Sequence, residues 1–295
     1  MTATVDSPPV WRRVVQLMGM PISLALRGRH ADTAQGERAW ADVVTELEWV
    51  DRVFSTYRDD SAISRLDRGE IDVTDCPPEV REVLALGRQA EEQSGGAFSI
   101  RLPRPGGSAD DRRLDPSGVV KGWAVQRASR RLATLDDTDL CLSAGGDMVC
   151  RVTDPRRPAW QIGIEHPIDP SRLIATVPVR RGAVATSGTA RRGAHLYDAR
   201  TGRPVEGVAS VTVIGPELTW ADIDATAAFA QGTEAADWLR GRPGRTGLVV
   251  WADGSTTTVR GTEVAAIRRS RSPQLVADPR PASAGSSRPN RHDIR

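Results

Sequence analysis

The spacing of apolar residues predicts three helices in the first half of the chain. Apolar side chains recur every three or four positions across residues 36–54, which is the period of an amphipathic helix. Pro77 and Pro78 suit the first turn of a second helix, which is expected to stop before Gly95. A third helix is predicted across residues 118–132, where apolar side chains again follow a helical period.

The second half of the chain is dominated by short apolar runs that are typical of strands. Runs at 140–144 and 147–150 flank Gly145-Gly146, which is a hairpin signal. Residues 101–113 combine Pro, Gly and Asp without an apolar period, so we predict a loop there. Because strands and helices are interspersed without strict alternation, the predicted fold class is α+β. The remaining predicted elements are a helix at 221–239 and strands at 14–26 (broken by a turn at 19–21), 160–164, 174–179, 184–186, 208–214 and 248–251.

Composition places the chain among soluble globular proteins and divides it into three parts. Of its 295 residues, 39% are hydrophobic and 26% are charged. Residues 268–295 are rich in Arg, Pro and Ser and have no apolar period, so they are predicted to form a disordered tail. We therefore expect a flexible N-terminus at 1–13 and a single folded domain at 14–267.

The distribution of charge argues against nucleic acid as a partner. The tail carries seven Arg against Asp278 and Asp293, which is about +5 of a total net charge of +2. The remainder of the chain is therefore near −3, which leaves no basic surface of the kind that nucleic-acid-binding domains present.

Cysteine usage and the N-terminal segment predict a cytoplasmic protein. Three cysteines without a C-x-x-C pair argue against both a disulfide framework and a zinc site. Arg12-Arg13 and the apolar run after it resemble a twin-arginine leader, but Gln16 and Pro21 interrupt that run, and Arg27 follows where a cleavage site should be. A strand is the preferred interpretation, and no apolar run is long enough for a membrane span.

Lys121 is the first candidate for chemistry, because it is the single lysine among 40 basic residues. Lysine is a compact point charge, whereas arginine is a wide planar fork, so a retained lysine suggests a role that arginine does not fill. Asp115, Ser117 and Gly118 precede it, a combination suited to a phosphate or metal site. The alternative is chance survival of one lysine.

Asp222 and Thr226 are the second candidate, because they lie four positions apart at a predicted helix start. This spacing puts a carboxylate and a hydroxyl on one helix face, and such hard oxygen ligands suit Mg²⁺. The alternative is a carboxylate that is stabilised by the helix dipole beside a packed threonine. His195, with Asp198 nearby, and the Gly145-Gly146-Asp147 turn are weaker candidates for a ligand site.

Taken in order, eight short segments resemble the FAD:protein FMN transferases, the ApbE-like family. The resemblance extends from Met18 to Trp251, so it covers about four-fifths of the chain. The segments are 18–21, 55–61 with 63–66, 94–98, 115–124, 143–147, 185–188, 195–202 and 221–226. Each segment alone is unspecific, whereas their common order is specific.

The resemblance implies a fold, a reaction and a set of site residues. The fold is a single ApbE-like domain of mixed sheets flanked by helices, and the reaction moves FMN from FAD onto a Thr or Ser hydroxyl of a target protein, with Mg²⁺ bound and AMP released. Lys121 would reach the FAD, and His195 would lie near the transferred phosphoryl group. The implied FAD-site residues are Met18, Tyr57, Ala97, Phe98, Asp115, Lys121 and His195, and the implied Mg²⁺ ligands are the carbonyls of Gly118 and Ala225 with the side chains of Asp222 and Thr226.

The chain departs from the family pattern at three positions, and two other functions remain open. The family usually has Thr where Met20 stands, Asp where Ser99 stands and Pro where Ala199 stands. The alternatives to a transferase are a Mg²⁺-dependent FAD pyrophosphatase, with water as the acceptor, and a non-catalytic FAD carrier. The Asp222 and Thr226 pair argues against the carrier, because binding alone needs no metal.

Overall fold

An eight-stranded antiparallel sheet forms the frame of the molecule. The computed structural model describes residues 9–104, 106, 111–169, 171–188 and 197–261. The strands are β1 (Trp11–Leu17), β2 (Met20–Gly28), β3 (Arg101–Pro103), β4 (Arg112–Leu114), β5 (Thr138–Ala144), β6 (Asp147–Arg151), β7 (Trp160–Glu165), β8 (Leu173–Val179), β9 (Arg181–Gly188), β10 (Tyr197–Asp198), β11 (Arg203–Pro204), β12 (Val208–Gly215), β13 (Thr246–Trp251) and β14 (Thr256–Arg260). The helices are α1 (Ala34–Phe54), α2 (Ala62–Asp67), α3 (Pro78–Gln93), α4 (Ser117–Ser129), α5 (Leu218–Ala230) and α6 (Ala235–Arg240).

The strand order of the main sheet is β1-β2-β5-β6-β9-β12-β13-β14, and neighbouring strands are antiparallel throughout. Three smaller two-stranded sheets pair β3 with β4, β7 with β8 and β10 with β11. The described residues belong to one compact unit. Fold class α+β is therefore confirmed.

The two faces of the main sheet are covered differently. On one face, alternate side chains such as Leu24, Leu142 and Val211 are fully buried beneath the helices, as expected when one face of each strand meets the core. On the other face, the β7–β8 hairpin packs Ile162 and Val179 over the middle strands. The sheet thus lies between a helical layer and a hairpin.

Most predicted elements are present, and two were predicted wrongly. The loop predicted at 101–113 contains the paired strands β3 and β4, in which Arg101 lies opposite Leu114. Asp67 accepts a hydrogen bond from the backbone N–H of Leu114, so this hairpin depends on a distant residue that the local pattern does not reveal. The helix predicted at 221–239 is divided into α5 and α6, because Gly232 between them has a φ of 60°.

The N-terminal boundary also differs from the prediction. β1 begins at Trp11, so residues 11–13, which were expected to be flexible, pair with β2. The predicted strand and turn at 14–26 are otherwise confirmed as the β1–β2 hairpin. The predicted disordered tail at 268–295 lies outside the described residues. No helix in the described ranges is long and apolar enough to cross a lipid bilayer.

Helices α4 and α5 approach each other closely at Gly122. A Cβ atom added to Gly122 would lie 2.7 Å from the Cβ of Asp222 and 2.8 Å from the carbonyl oxygen of Leu218. Only glycine permits this approach, which brings the backbone of α4 against the side chain of Asp222.

We expect Gly122→Ala to lower the free energy of unfolding by about 1–3 kcal/mol, because the added methyl group overpacks the α4–α5 contact. Helix propensity alone would favour alanine by about 1 kcal/mol, so the two effects have opposite signs. Denaturant unfolding measures the difference. Gly241→Ala is the matched control, because Gly241 has a helical φ of −74° and its added Cβ approaches only the carbonyl oxygen of Trp238, at 3.3 Å. A stabilised Gly122→Ala variant would contradict the close packing.

Candidate active site

Lys121 lies between two buried carboxylates at the meeting point of α4, α5 and β6. Its Nζ is 3.2 Å from Oδ1 of Asp222 and forms a second ion pair with Oδ2 of Asp147. Both aspartate side chains are 1% exposed, whereas the lysine side chain is 25% exposed. The ammonium group therefore bridges two carboxylates that have almost no contact with solvent.

Backbone amides hold the other oxygen of each carboxylate. The N–H of Thr186 on β9 donates to Oδ1 of Asp147 at 2.9 Å, and the N–H of Gly122 donates to Oδ2 of Asp222 at 2.9 Å. Each aspartate thus has one oxygen fixed by the main chain and the other directed at Lys121. This arrangement satisfies the carboxylates and fixes their orientation.

Burial and the two negative charges determine the protonation states at the site. Burial raises the pKa of Asp222 to about 7, with the charge of Asp147 adding to the effect and Lys121 opposing it. Burial alone would lower the pKa of Lys121, but the charges of Asp222 and Asp147 outweigh it and raise this pKa. Lys121 is therefore an ammonium ion at neutral pH, while Asp222 is close to its titration point.

A second polar contact lies one helical turn further along α5. The Oγ1 of Thr226 is 2.9 Å from the Oγ of Ser187 on β9. Asp222 and Thr226 were predicted at a helix start, but α5 begins at Leu218, so Asp222 lies in its second turn. The carboxylate is stabilised there by Lys121 and Gly122 rather than by a free helix end. The predicted common face of Asp222 and Thr226 is consistent with their spacing in α5.

Gly118 and Ala225, whose carbonyls the resemblance implies as metal ligands, lie in the same two helices as Lys121 and Asp222. Gly118 lies in the first turn of α4, and Ala225 is fully buried in α5. In a regular helix the N–H of Gly122 donates to the carbonyl of Gly118. The N–H of Gly122 donates to Oδ2 of Asp222, so the residue four positions after Gly118 lies against that carboxylate.

Phe98 links the predicted flavin-side residues to the start of α4. A Cβ added to Gly118 would lie 2.9 Å from Cε2 of Phe98, so the ring lies directly against this glycine. Ala97 and Phe98 are buried, and the carbonyl of Ala97 accepts a hydrogen bond from the N–H of Ala199 at 3.1 Å. This bond brings the segment after β10 beside the Ala97-Phe98 pair.

The remaining predicted residues occupy different environments. Asp115 is buried, with Oδ1 accepting from the N–H of Ser117 at 3.1 Å and Oδ2 lying 3.0 Å from the guanidinium of Arg113. Met18 forms the β1–β2 turn with a φ of 55°. Tyr57 is 97% exposed, which is unusual for a large aromatic side chain without a ligand. His195 lies outside the described residues.

Asp147 was only a weaker candidate in the sequence, and it was not among the implied site residues. Its signal was present, because it follows Gly145-Gly146 in one of the segments that resemble the family. A glycine pair before an aspartate is, however, typical of a hairpin turn, and this turn does connect β5 to β6. Only the packing of β6 against α4 and α5 places the Asp147 carboxylate on Lys121.

Known proteins with sequences similar to this chain are described as FAD:protein FMN transferases. The FAD:protein FMN transferase of Escherichia coli K12 is 28% identical over 156 residues, which is 50% of this chain and 44% of that protein. The protein of the same description from Rhodobacter capsulatus is 33% identical over 182 residues, which is 56% of this chain and 33% of that protein. This chain thus matches less than half the length of these two relatives. The Haemophilus influenzae protein is 24% identical over 285 residues and 82% of its length.

Solved structures with the same fold are ApbE proteins. The Thermotoga maritima ApbE protein has a TM-score of 0.71 at 20% identity and covers 85% of this chain and 97% of its own. The apo flavinyl transferase ApbE of Pseudomonas stutzeri has a TM-score of 0.71 at 23% identity and covers 87% and 96%. The model of the ApbE family matches residues 18–104 and 107–249, which include the whole Lys121, Asp147 and Asp222 cluster. The chain belongs to the ApbE family.

Proposed function

We propose that this chain is a Mg²⁺-dependent FAD:protein FMN transferase, which moves FMN from FAD onto a Thr or Ser hydroxyl of a target protein and releases AMP. One observation carries the proposal: a single ammonium group faces two buried carboxylates, so the site has an excess of one negative charge once Asp222 is ionised. Such a site is suited to a divalent cation, and phosphate oxygens are natural partners of both a cation and an ammonium group. The relatives' descriptions support the same reaction.

The residues around Asp222 fit Mg²⁺. Within the described part of the chain, no three His, Cys, Asp or Glu side chains group to hold a metal ion, so an ion there must also use carbonyls or hydroxyls. The carbonyls of Gly118 and Ala225, the Asp222 carboxylate and the Thr226 hydroxyl make an all-oxygen set, which Mg²⁺ prefers. When bound, Mg²⁺ neutralises charge on the pyrophosphate and polarises the phosphorus that is attacked.

The chain's own residues would bind and orient the FAD. The Lys121 side chain is 25% exposed, and its ammonium group is proposed to contact a pyrophosphate oxygen while Asp147 keeps it in place. Met18, Tyr57, Ala97, Phe98 and Asp115 are proposed to line the flavin side, with the exposed ring of Tyr57 available for stacking. His195 is proposed to act near the transferred phosphoryl group.

The three departures from the family pattern affect the flavin side of the site. Ala199 donates its N–H to Ala97, a bond that the usual proline could not make. The Oγ of Ser99 accepts a hydrogen bond from the N–H of Arg101 at 3.1 Å, so the hydroxyl is engaged locally. Met20 packs against Gly145 at the β5–β6 turn. None of the three lies at the Lys121 cluster, so we expect altered flavin contacts with unchanged phosphate chemistry.

An FAD pyrophosphatase remains the second candidate, because both reactions use the same pyrophosphate site and differ only in the acceptor. The deciding experiment is to co-express the chain with candidate target proteins and measure their intact masses. A target that gains the mass of FMN, with AMP released in equal amount, supports the transferase. FMN and AMP released in equal amounts without any modified target would support the pyrophosphatase.

We also propose a cytoplasmic location and a catalytic domain that ends near residue 267. The three cysteines are free thiols, which fits a reducing compartment. Residues 268–295, at the Arg-rich end of the chain, are proposed to take no part in the chemistry.

We expect Lys121→Arg to lower AMP release from FAD at least tenfold, nearly as much as Lys121→Met. A guanidinium fork is too wide for a point-charge position between two carboxylates, although it keeps the charge. Steady-state rates measure the effect, and thermal melting checks that each variant is folded. Arg130→Lys at the exposed end of the same helix is the control and should be silent. If Lys121→Arg released AMP at a rate within about threefold of the parent, the activation free energy would differ by less than about 1 kcal/mol. That result would contradict the proposed role of Lys121.

We expect Asp222→Asn to abolish stabilisation by Mg²⁺ and to reduce turnover to background. The amide keeps an oxygen that can accept from Gly122, so the fold is preserved while the charged ligand is lost. Titrating Mg²⁺ against the melting temperature at pH 8 tests binding directly, because a ligand of the folded state raises that temperature. Equal Mg²⁺-dependent shifts in the parent and the variant would contradict the assignment of this ligand.

In the presence of a chelator, the free energy of unfolding should depend on pH differently in the parent protein and in Asp222→Asn. Asp222 has a pKa of about 7 in the folded chain and about 3.9 when unfolded, so between these values only the folded state holds its proton. The stability that this proton contributes is complete below pH about 4 and is lost as pH rises to about 7. Denaturant unfolding across this range should therefore show a steeper decline in the parent than in Asp222→Asn. If the free energies of unfolding of the two proteins changed in parallel with pH, folding would not raise the pKa of Asp222.

A further inference from the structure

A pair of thiols lies on the face of the sheet opposite the candidate active site. Cys141 on β5 and Cys150 on β6 are directly opposite each other, and their Sγ atoms are 3.6 Å apart. They belong to the apolar cluster beneath the β7–β8 hairpin, together with Ile162 and Val179. The active-site chemistry proposed above uses neither thiol.

The register of the β5–β6 hairpin allows these two sulfurs to bond without moving the main chain. The two-residue turn makes Ala144 and Asp147 the hydrogen-bonded pair that closes the hairpin. Opposed pairs then alternate, so Cys141 and Cys150 form a non-hydrogen-bonded pair, for which the Cα atoms are about 4.5 Å apart. That separation lies within the range of about 4.4–6.8 Å found in disulfides. Rotation of the side chains is enough to close the gap between the sulfurs.

The two thiols differ in exposure and acidity. Cys141 is partly exposed, and its neighbour across β2 is the small residue Ala25, whereas Cys150 is buried. The Cys150 thiol donates a hydrogen bond to the Cys141 sulfur, which, with the nearby Arg12 charge, lowers the pKa of Cys141. The same hydrogen bond, together with burial, raises the pKa of Cys150. Cys141 is therefore the thiol that an oxidant in solution reaches first, and Cys150 is placed to act as its resolving partner.

We propose that Cys141 and Cys150 form an oxidation site at which a hydroperoxide produces a reversible intramolecular disulfide. The Cys141 thiolate attacks the terminal O–H oxygen of the peroxide, the O–O bond breaks, and Cys141 becomes a sulfenic acid as hydroxide leaves from hydrogen peroxide or an alkoxide leaves from an organic hydroperoxide. The Cys150 sulfur then attacks the Cys141 sulfur, which forms the S–S bond and releases the hydroxyl group as water with the Cys150 proton. Two thiols lose two electrons to the peroxide, and a dithiol returns them. This inference does not depend on the proposed transferase activity.

Mass spectrometry of the folded full-length chain tests the site. The chain is treated with hydrogen peroxide, denatured in an alkylating reagent and digested with trypsin, which leaves both cysteines in the peptide 132–151. We expect this peptide to lose both alkyl groups and to regain them after treatment with a dithiol. Alkyl groups are counted rather than mass alone, because Met148 in the same peptide can gain oxygen. Cys76, which is buried and whose pKa is raised by burial, should keep its alkyl group.

Two variants separate the attacking from the resolving thiol. In Cys150→Ser, the Cys141 sulfenic acid has no thiol partner, so we expect it to gain a second oxygen and to resist recovery by the dithiol. In Cys141→Ser, Cys150 should remain fully alkylated. Two retained alkyl groups on the parent peptide, under an exposure that fully oxidises the unfolded chain, would overturn the proposal. Oxidation of Cys150 in Cys141→Ser at the parental rate would do the same.

Discussion

The ion-pair cluster of Lys121 with Asp147 and Asp222 is the interaction on which the rest of the site depends. A carboxylate that is removed from water without a partner costs several kcal/mol, and here two are buried next to each other. One ammonium group neutralises only one of the two negative charges. Burial raises the pKa of Asp222 to about 7, and the charge of Asp147 adds to this effect, so a second cation at the site would stabilise the ionised form of Asp222. The two buried carboxylates therefore lower the stability of the folded state, and the same negative charge favours the binding of a metal ion.

The fold forms this cluster by bringing three elements together at one point. The β5–β6 hairpin presents Asp147 at the start of β6, α5 presents Asp222, and α4 supplies both Lys121 and an amide that fixes the Asp222 carboxylate. Gly122 allows α4 to come close enough for that amide to reach. A chain that satisfied the helical pattern with any other residue at this position would separate the two helices and loosen the cluster.

The proposed flavin side and the proposed phosphate side of the site meet at Gly118, at the start of α4. The ring of Phe98 rests on Gly118, whose carbonyl is a proposed metal ligand. The carbonyl of Ala97 holds the segment that contains Ala199. Ser99 and Ala199, two of the departures from the family pattern, form hydrogen bonds with Arg101 and Ala97 rather than with the Lys121 cluster.

The sequence by itself determined which stretches form helices and strands, and it identified the family through the order of short motifs. Hydrophobic periodicity is a local property, so α1, α3, α4 and the β5–β6 hairpin were predicted close to their observed bounds. Lys121 stood out for its rarity, and Asp222 with Thr226 for their spacing.

Only the tertiary structure decided which of these groups meet. The pairing of β3 with β4 depends on Asp67, which lies far away in the sequence. The partnership of Asp147 with Lys121 depends on the packing of β6 against α4, and no local pattern specifies the distance between two separate elements. The facing thiols of Cys141 and Cys150 depend on strand register, because a shift of one residue would turn one of them to the opposite face of the sheet.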